Sequence, residues 1–142
     1  MKIMLLAFMF APVLSAFASE LAYISNGETI APYTPAIKAG RTLYLSGQIA
    51  LTPKITDLAA IDFEVQTRQV MENLIELLKK ADYAISDLVQ CTVYLKDMRD
   101  YAAFNRIYGS YFEKGKAPTR VAVEISNLPR NAKIEISAIA YK

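Results

Sequence analysis

The chain has 142 residues, of which 54% are hydrophobic and 21% charged, a balance typical of one globular domain. Its 16 basic and 14 acidic residues give a formal net charge of +2, and no run of like charges indicates a nucleic acid or an anionic membrane as partner. With no histidine and a single cysteine, Ser-His-Asp and Cys-His catalysis are excluded, and we expect no metal site built on those ligands.

The first 18 residues have the pattern of a secretion signal peptide. Lys2 supplies a positive charge, an apolar run follows over residues 3–10, and Ala16-Phe17-Ala18 places small residues where a signal peptidase reads. We expect cleavage after Ala18, which leaves residues 19–142 as one domain in the periplasm or outside the cell. The alternative is an uncleaved membrane anchor, although the apolar stretch is shorter than the roughly 20 residues of a membrane span.

The first part of the mature chain predicts three short strands. Leu21–Ser25 forms the first and ends at the turn dipeptide Asn26-Gly27. Ala36–Lys38 and Thr42–Ile49 are predicted to form a hairpin around the Ala39-Gly40 turn.

The end of the third predicted strand brings backbone close to a possible ligand. Strict alternation places Gly47 on the same side as Leu43 and Leu45, and places Ser46 and Gln48 on the other side. A glycine near a strand end often marks a point where another group approaches the backbone closely. We therefore expect the Ser46-Gly47 dipeptide to border a binding site.

The rest of the chain predicts two helices and three more strands. In chain order they are a helix at Ile61–Ala81, a strand at Leu88–Lys96, a helix at Asp100–Glu113 ended by Lys114-Gly115, and strands at Val121–Ile125 and Ile134–Tyr141. Apolar residues recur at helical spacing in the helices and alternate in the strands. Cys91 lies on the apolar side of its strand, which indicates a core residue rather than a nucleophile.

This order of elements predicts an α+β fold in which the helices pack on one face of a mixed sheet. The opposite face carries alternating tyrosine, threonine, glutamine and serine side chains and is too apolar to be left simply in water. We therefore expect a second surface to cover it, as in an oligomer.

Short motifs follow one another along the whole chain after the expected signal. They are Pro32-Tyr33, Leu45–Ile49, Thr92–Asp97, Phe104-Asn105 with Tyr108 and Phe112, Ala117–Glu124, Leu128-Pro129 and Lys133–Ile136. Each motif alone is weak, but together and in this order they resemble the RidA/YjgF family. The chain then looks like an exported member of that family.

The resemblance implies a chorismate-mutase-like subunit, with a mixed sheet and two helices on one face, that forms a homotrimer with clefts between neighbouring subunits. The active members of the family hydrolyse reactive enamines and imines, such as those derived from 2-aminoacrylate, to 2-oxo acids and ammonia. They use no cofactor. The expected partner is therefore a small carboxylated imine and no nucleic acid, with no stable membrane association unless the signal is retained.

The resemblance also implies catalytic and substrate-binding residues. Arg120 matches the carboxylate-binding arginine of the active members, Glu135 matches a glutamate that positions the attacking water, and Tyr33 is the third expected catalytic residue. The expected substrate-binding residues are Ser46, Gly47 through its backbone, Asn105 and Arg120. A 2-imino acid is small, planar and carboxylated, so a bidentate guanidinium suits it better than a lysine.

The residues alone also permit structural roles at these positions. Arg120 stands at the start of a predicted strand, where surface arginines are common, and Glu135 alternates with two isoleucines as a solvent-facing strand residue would. Tyr33 fits a packing tyrosine, Asn105 an exposed helix residue, and Ser46 a hydroxyl that bonds to nearby backbone. A trimeric binding module for small carboxylates or a protein partner, without turnover, is the alternative function. Ribonuclease and chaperone-like activities are also reported in the family, and this composition gives nucleic-acid chemistry the least support.

The chain departs from the family pattern at three places. Ala122 stands where many members have a cysteine, Val121 stands where a small residue is usual, and Pro53–Asp57 replaces a loop that usually contains glycine. We expect these departures to change the shape of the pocket and its substrate preference. None of them removes a residue that the hydrolysis needs.

Overall fold

A computed structural model describes residues 20–25 and 27–142. The expected signal peptide and Asn26 lie outside the described residues. In chain order the main elements are β1 (Leu21–Ile24), β2 (Ala36–Ala39), β3 (Thr42–Gln48), α1 (Phe63–Lys80), β4 (Leu88–Leu95), α2 (Tyr101–Gly109), β5 (Thr119–Glu124) and β6 (Ile134–Tyr141). No helix of this described part of the chain combines the length and apolar character that crossing a membrane requires.

The strands form one mixed sheet in the order β1-β2-β3-β6-β4-β5. Neighbouring strands run antiparallel except β4 and β5, which are parallel and are connected through α2. The predicted chorismate-mutase-like α+β subunit, a mixed sheet with two helices, is confirmed. The strand β5, which carries Arg120, lies at one edge of the sheet.

The core lies between one face of the sheet and the two helices. Helix α1 packs on β3 and β6, and α2 packs against α1. Leu43, Leu74, Val93, Phe104 and Ile136 are all fully buried there, and each large apolar side chain contributes roughly 1.5–3 kcal/mol by leaving water. Cys91 is also fully buried, so its prediction as a core residue is confirmed.

The opposite face, which we call the open face, is not covered by either helix. It carries the side chains that alternate with the core residues along β3, β4 and β6, and the parallel partner β5 extends it. Its members are Tyr44, Thr92, Tyr94, Val121, Val123, Glu135, Ser137 and Ile139. Tyr44 is 51% exposed and Val121 is 53% exposed in the single subunit.

A bulge in β3 reverses the predicted alternation at Gly47 and Gln48. Leu45 pairs with Ala138 but Gln48 pairs with Ile136, so two residues of β3 stand opposite one residue of β6. Gln48 therefore turns into the core and is only 8% exposed. The expectation that Gly47 shares the side of Leu45 is wrong, because the extra residue shifts it to the open face.

The second predicted helix is also shorter than expected. Helix α2 ends at Gly109 rather than at Glu113. The chain continues in tighter turns, since the N–H groups of Ser110, Tyr111 and Phe112 each bond to the carbonyl three residues earlier. Gly109 and Ser110 are both weak helix formers, so the α-helix ends there and not at Lys114-Gly115.

Candidate functional site

Glu135 and Gly47 lie directly against each other on the open face. A Cβ atom placed on Gly47 would stand 1.8 Å from Oε1 of Glu135 and 2.7 Å from its Cδ. Because no side chain fits in that space, the glycine is what allows the carboxylate to lie on the strand backbone. The bulge and the glycine together therefore position Glu135.

The surroundings of Glu135 make its carboxylate a stronger base than an exposed one. The side chain is half-buried, and this burial raises the pKa of the carboxyl above its ordinary value. Among the described residues no basic side chain lies within 4.0 Å of it. Nor do any three carboxylate or thiol side chains in this part of the chain form a group that would hold a metal ion.

Ser46 holds the loop that carries Tyr33 against β3. Its hydroxyl donates to the carbonyl of Thr34 at 2.7 Å, and its N–H donates to the carbonyl of Pro35 at 2.9 Å. Tyr33 itself is 42% exposed. The proton of the Ser46 hydroxyl is thus engaged with the loop, and only its lone pairs remain for a ligand.

A cleft of about 520 Å³ lies beside Ser46 and is lined in part by Tyr33 and Gly47. That volume falls in the range of small-molecule sites. Pro53, Ile55 and Thr56 form part of its wall, so the loop that departs from the family pattern borders the cleft. Arg130 also lines it and was not singled out by any sequence pattern.

Arg120 lies on the other side of the sheet, next to α2. Its Cζ atom is 4.9 Å from the ring centre of Phe104, 5.0 Å from that of Tyr108 and 5.6 Å from that of Tyr101. Its Nη2 donates to the hydroxyl of Tyr101 at 3.1 Å. No carboxylate of the described residues lies within 4.0 Å, so the guanidinium is free to bind an anion from outside.

Asn105 belongs to the same part of the molecule. It stands one helical turn after Tyr101 on α2, a spacing that places the two side chains on one face of the helix. The side chain of Asn105 is half-buried. Tyr101 was not predicted as a site residue, because only its contact with Arg120 in the folded chain distinguishes it from other helix residues.

The wall behind Arg120 is uncharged. Tyr108 is 3% exposed, and its hydroxyl has no hydrogen-bond partner among the described residues. Burial raises the pKa of the Tyr108 hydroxyl and of the neighbouring Cys91 thiol, so both stay protonated at neutral pH. Neither the Tyr108 hydroxyl nor the Cys91 thiol therefore carries a negative charge that would neutralise Arg120.

The expected site residues form two groups within one chain. The glutamate group consists of Tyr33, Ser46, Gly47 and Glu135, and the arginine group consists of Asn105 and Arg120 with Tyr101. Arg120 pairs with core-facing Cys91, whereas Glu135 pairs with Tyr94 on the open face. The two side chains thus lie on opposite faces of the sheet and two strand spacings apart, about 10 Å.

Val121 and Ala122 point to opposite faces, as neighbouring strand residues do. Val121 is exposed on the open face, whereas half-buried Ala122 pairs with the core residue Val93. They cannot line one wall together within a subunit. Their expected effect on substrate preference stays a prediction.

Known proteins are similar to this chain in both sequence and fold. The family model described as endoribonuclease L-PSP matches residues 24–142, a range that contains both groups of the site. The chain is thus an α+β protein of the class that this family model describes. A RutC family protein of Pyrococcus horikoshii is 48% identical over 124 residues, which are 87% of this chain and 98% of the relative.

Further relatives narrow this class to one family. The 2-iminobutanoate/2-iminopropanoate deaminase of Mus musculus is 40% identical over 113 residues, which are 80% of this chain and 83% of the mouse protein. A conserved Rid family protein from Yersinia pestis superposes with a TM-score of 0.80 at 35% identity, covering 87% of this chain and all of the other. RidA from an Antarctic Psychrobacter gives 0.76 at 31% identity, over 81% of this chain and 92% of that protein. The chain belongs to the RidA/YjgF family.

Proposed function

We propose that this protein is a hydrolytic deaminase of 2-imino acids and their enamine tautomers, which it converts to 2-oxo acids and ammonia without a cofactor. The observation that carries the proposal is the Arg120 guanidinium, which aromatic rings hold in place while no carboxylate neutralises it. The name of the mouse relative describes this chemistry. Family membership makes the same reaction available to this chain.

A homotrimer would bring the two groups of the site together. One small imine cannot contact Arg120 and Glu135 of the same chain, since they lie on opposite faces of the sheet. If the edge strand β5 of one subunit lies on the open face of its neighbour, the arginine group of the first meets the glutamate group of the second. We propose that each site is built from two subunits in this way.

Arg120 would bind the substrate carboxylate through two parallel N–H···O contacts. This binding fixes the plane of the conjugated imine and leaves its carbon open to one side. Asn105, Tyr33 and the backbone of Gly47 would hold the remaining polar atoms of the substrate. The cleft beside Tyr33 and Gly47 would receive the substrate side chain.

Glu135 would act as the base. It takes a proton from water while the water oxygen bonds to the carbon of the protonated imine, which gives a carbinolamine. The carboxyl then passes that proton to the nitrogen, and the C–N bond breaks to release ammonia. As the carbonyl forms, the Glu135 carboxylate takes the hydroxyl proton and passes it to the ammonia, which leaves as ammonium. An enamine enters the same path after it gains a proton on its terminal carbon.

The proposal is tested by adding the purified protein to freshly generated 2-iminopropanoate and 2-iminobutanoate. We expect faster loss of imine than in buffer, and a loss of about 100-fold or more in kcat/KM for Arg120→Lys, because an ammonium cannot make the bidentate contact. Arg106→Lys is the matched control, since Arg106 pairs with Glu64 on the surface. An uncatalysed rate across a panel of 2-imino acids would refute the enzyme, and tight binding of a 2-oxo acid in that case would favour the binding module.

The shared site is tested by complementation. Arg120→Gln and Glu135→Gln subunits are each inactive if the proposal holds, but mixed trimers contain clefts with an intact arginine from one subunit and an intact glutamate from the next. Random mixing in equal amounts should restore about a quarter of the wild-type activity. Mixtures that stay inactive although subunits exchange would show that each site lies within one chain.

A further inference from the structure

We propose that Tyr101 is a positioning residue, which holds the guanidinium of Arg120 in the orientation that a substrate carboxylate needs. The proposal rests on the proposed function, because it assigns Arg120 to carboxylate binding. Among the described residues, the hydroxyl of Tyr101 is the one side-chain group that forms a hydrogen bond with Arg120. It takes one N–H of Nη2, and the other guanidinium donors remain for a ligand.

The aromatic rings and the hydroxyl act on Arg120 in different ways. A cation above a ring is attracted to the ring face, but this attraction has little dependence on how the guanidinium turns in its own plane. A hydrogen bond depends on direction. The Tyr101 hydroxyl therefore sets which edge of the guanidinium faces outward, while the rings of Phe104 and Tyr108 hold the cation in place.

Tyr101 is itself fixed relative to the strand that carries Arg120. It is the first residue of α2, and its ring stacks on Phe104 at a centroid distance of 6.4 Å. Just before the helix, the N–H of Met98 donates to Oε2 of Glu124 on β5 at 2.6 Å. The helix start is thus tied to the end of β5, so the hydroxyl is held at a defined place beside Arg120.

Tyr101→Phe in the full chain isolates the hydroxyl, because it keeps the ring. We expect KM for 2-iminopropanoate and Kd for pyruvate to rise together by about three- to tenfold, with kcat unchanged within about twofold, since a freely turning guanidinium binds carboxylate less well. Tyr111→Phe is the matched control. It removes a hydroxyl that bonds to Glu72 at 3.2 Å, away from Arg120, and should change neither constant.

The outcomes separate this proposal from the proposed function. If the wild type hydrolyses no imine but binds pyruvate, and Tyr101→Phe alone weakens that binding, the positioning role is supported and the deaminase fails. Equal KM and Kd in the two variants would overturn the positioning role. So would a fall in kcat with KM and Kd unchanged, or a wild type that binds no pyruvate.

Discussion

At the scale of single residues, Arg120 and Glu135 are opposite charges, and neither forms a salt bridge with another of the described residues. Arg120 is held by aromatic rings and a neutral hydroxyl, and Glu135 is half-buried against the backbone of Gly47. A salt bridge between them would neutralise both and remove the cation and the base that imine hydrolysis requires. The sheet between them prevents that pairing within a subunit.

Gly47→Ala tests how Glu135 is positioned. The new Cβ would overlap Oε1 of Glu135, so the flexible carboxylate must move. We expect kcat to fall by about 10- to 100-fold, because a shift of about 1 Å in a reacting group costs that much. We expect a loss of stability below about 1.5 kcal/mol, because a side-chain end can move more easily than backbone.

Gly109→Ala is the control for that substitution. Apart from its chain neighbours and the backbone of its own helix, no described atom lies within 4 Å of the position where its Cβ would stand. The kcat should therefore stay near wild type, and stability should not fall, since alanine is the better helix former. If Gly47→Ala keeps full activity, the carboxylate does not need the position it has against the backbone.

Glu135→Gln tests the electrostatics of the same residue. Because burial raises the pKa of Glu135, the folded protein holds this proton more tightly than the unfolded chain does. The charged form therefore lowers stability as the pH rises above the ordinary value of 4.5. Glutamine resembles the protonated acid, so the variant should gain more in Tm over wild type at pH 7 than at pH 4.

The same variant should lose about 100-fold or more in kcat, since the amide cannot accept the proton of water. Thermal unfolding at the two pH values and an imine assay at pH 7 measure both effects. A larger Tm gain at pH 4 than at pH 7 would contradict the raised pKa.

At the scale of elements, a buried glutamine joins α1 to the start of β6, the strand of Glu135. Gln66 is fully buried, donates to the carbonyls of Leu58 at 2.8 Å and Ile61 at 3.0 Å, and accepts from the N–H of Lys133 at 2.9 Å. The side chain of Gln66 thus forms three hydrogen bonds that join the loop before α1 to the residue before β6. The helix thereby fixes where β6 begins.

Gln66→Leu should lower the free energy of unfolding by about 2 kcal/mol, because the N–H of Lys133 loses its acceptor. The carbonyls of Leu58 and Ile61 each lose one of two donors, since they also accept from the N–H of Ile61 at 3.1 Å and from Nζ of Lys133 at 2.8 Å. Gln69→Leu is the control, and it should cost less than about 1 kcal/mol. The half-buried Gln69 side chain donates to Oδ1 of Asn73 at 2.9 Å, which is its one hydrogen bond to a side chain among the described residues. Urea unfolding at one protein concentration compares them. Equal losses of unfolding free energy in the two variants would show that the hydrogen bonds of Gln66 stabilise the fold no more than that of Gln69.

At the scale of the whole molecule, the open face exposes large apolar side chains that a single subunit does not cover. It presents Tyr44, Val121 and Val123 at 51%, 53% and 37% exposure in the single subunit. Large exposed apolar side chains on one sheet face are typical of an interface. Subunit packing over this face would cover them and would also complete the site.

Tyr44→Asp tests this packing, because a charge buried between sheets without a partner is costly. We expect the variant to be monomeric by size-exclusion chromatography with light scattering, and inactive, whereas the wild type should be trimeric. Val65→Asp places the same charge at a residue with 52% exposure on α1 and should leave a trimer. A monomeric wild type, or a Tyr44→Asp trimer, would contradict the assembly.

Export is a further proposal for the whole chain. If the first 18 residues act as a cleaved signal, protein recovered from outside the cytoplasm should begin at Ser19 by intact mass and N-terminal sequencing. Replacing Ala16 and Ala18 with arginine should block cleavage. Full-length protein that remains in the cytoplasm would contradict the signal.

Periodicity along the chain was sufficient to predict most elements and the core. Ile134–Tyr141 agrees with β6 at both ends, and Cys91 lies in the core as its alternating neighbours indicated. Such predictions succeed because a repeat of 2 or 3.6 residues is a local property that decides which side chains share a face. Pairing between strands that are distant in sequence is not a local property, so periodicity did not predict it.

The folded chain alone revealed how the candidate site is divided. The bulge at Ser46-Gly47 depends on the register between β3 and β6, and no local pattern reports that register. The separation of Arg120 from Glu135 depends on strand order, because β4 lies between their strands and each side chain follows the face of its own β4 partner. The family resemblance predicted which residues form the site, and the pairing of strands decided that one subunit cannot bring Arg120 and Glu135 together.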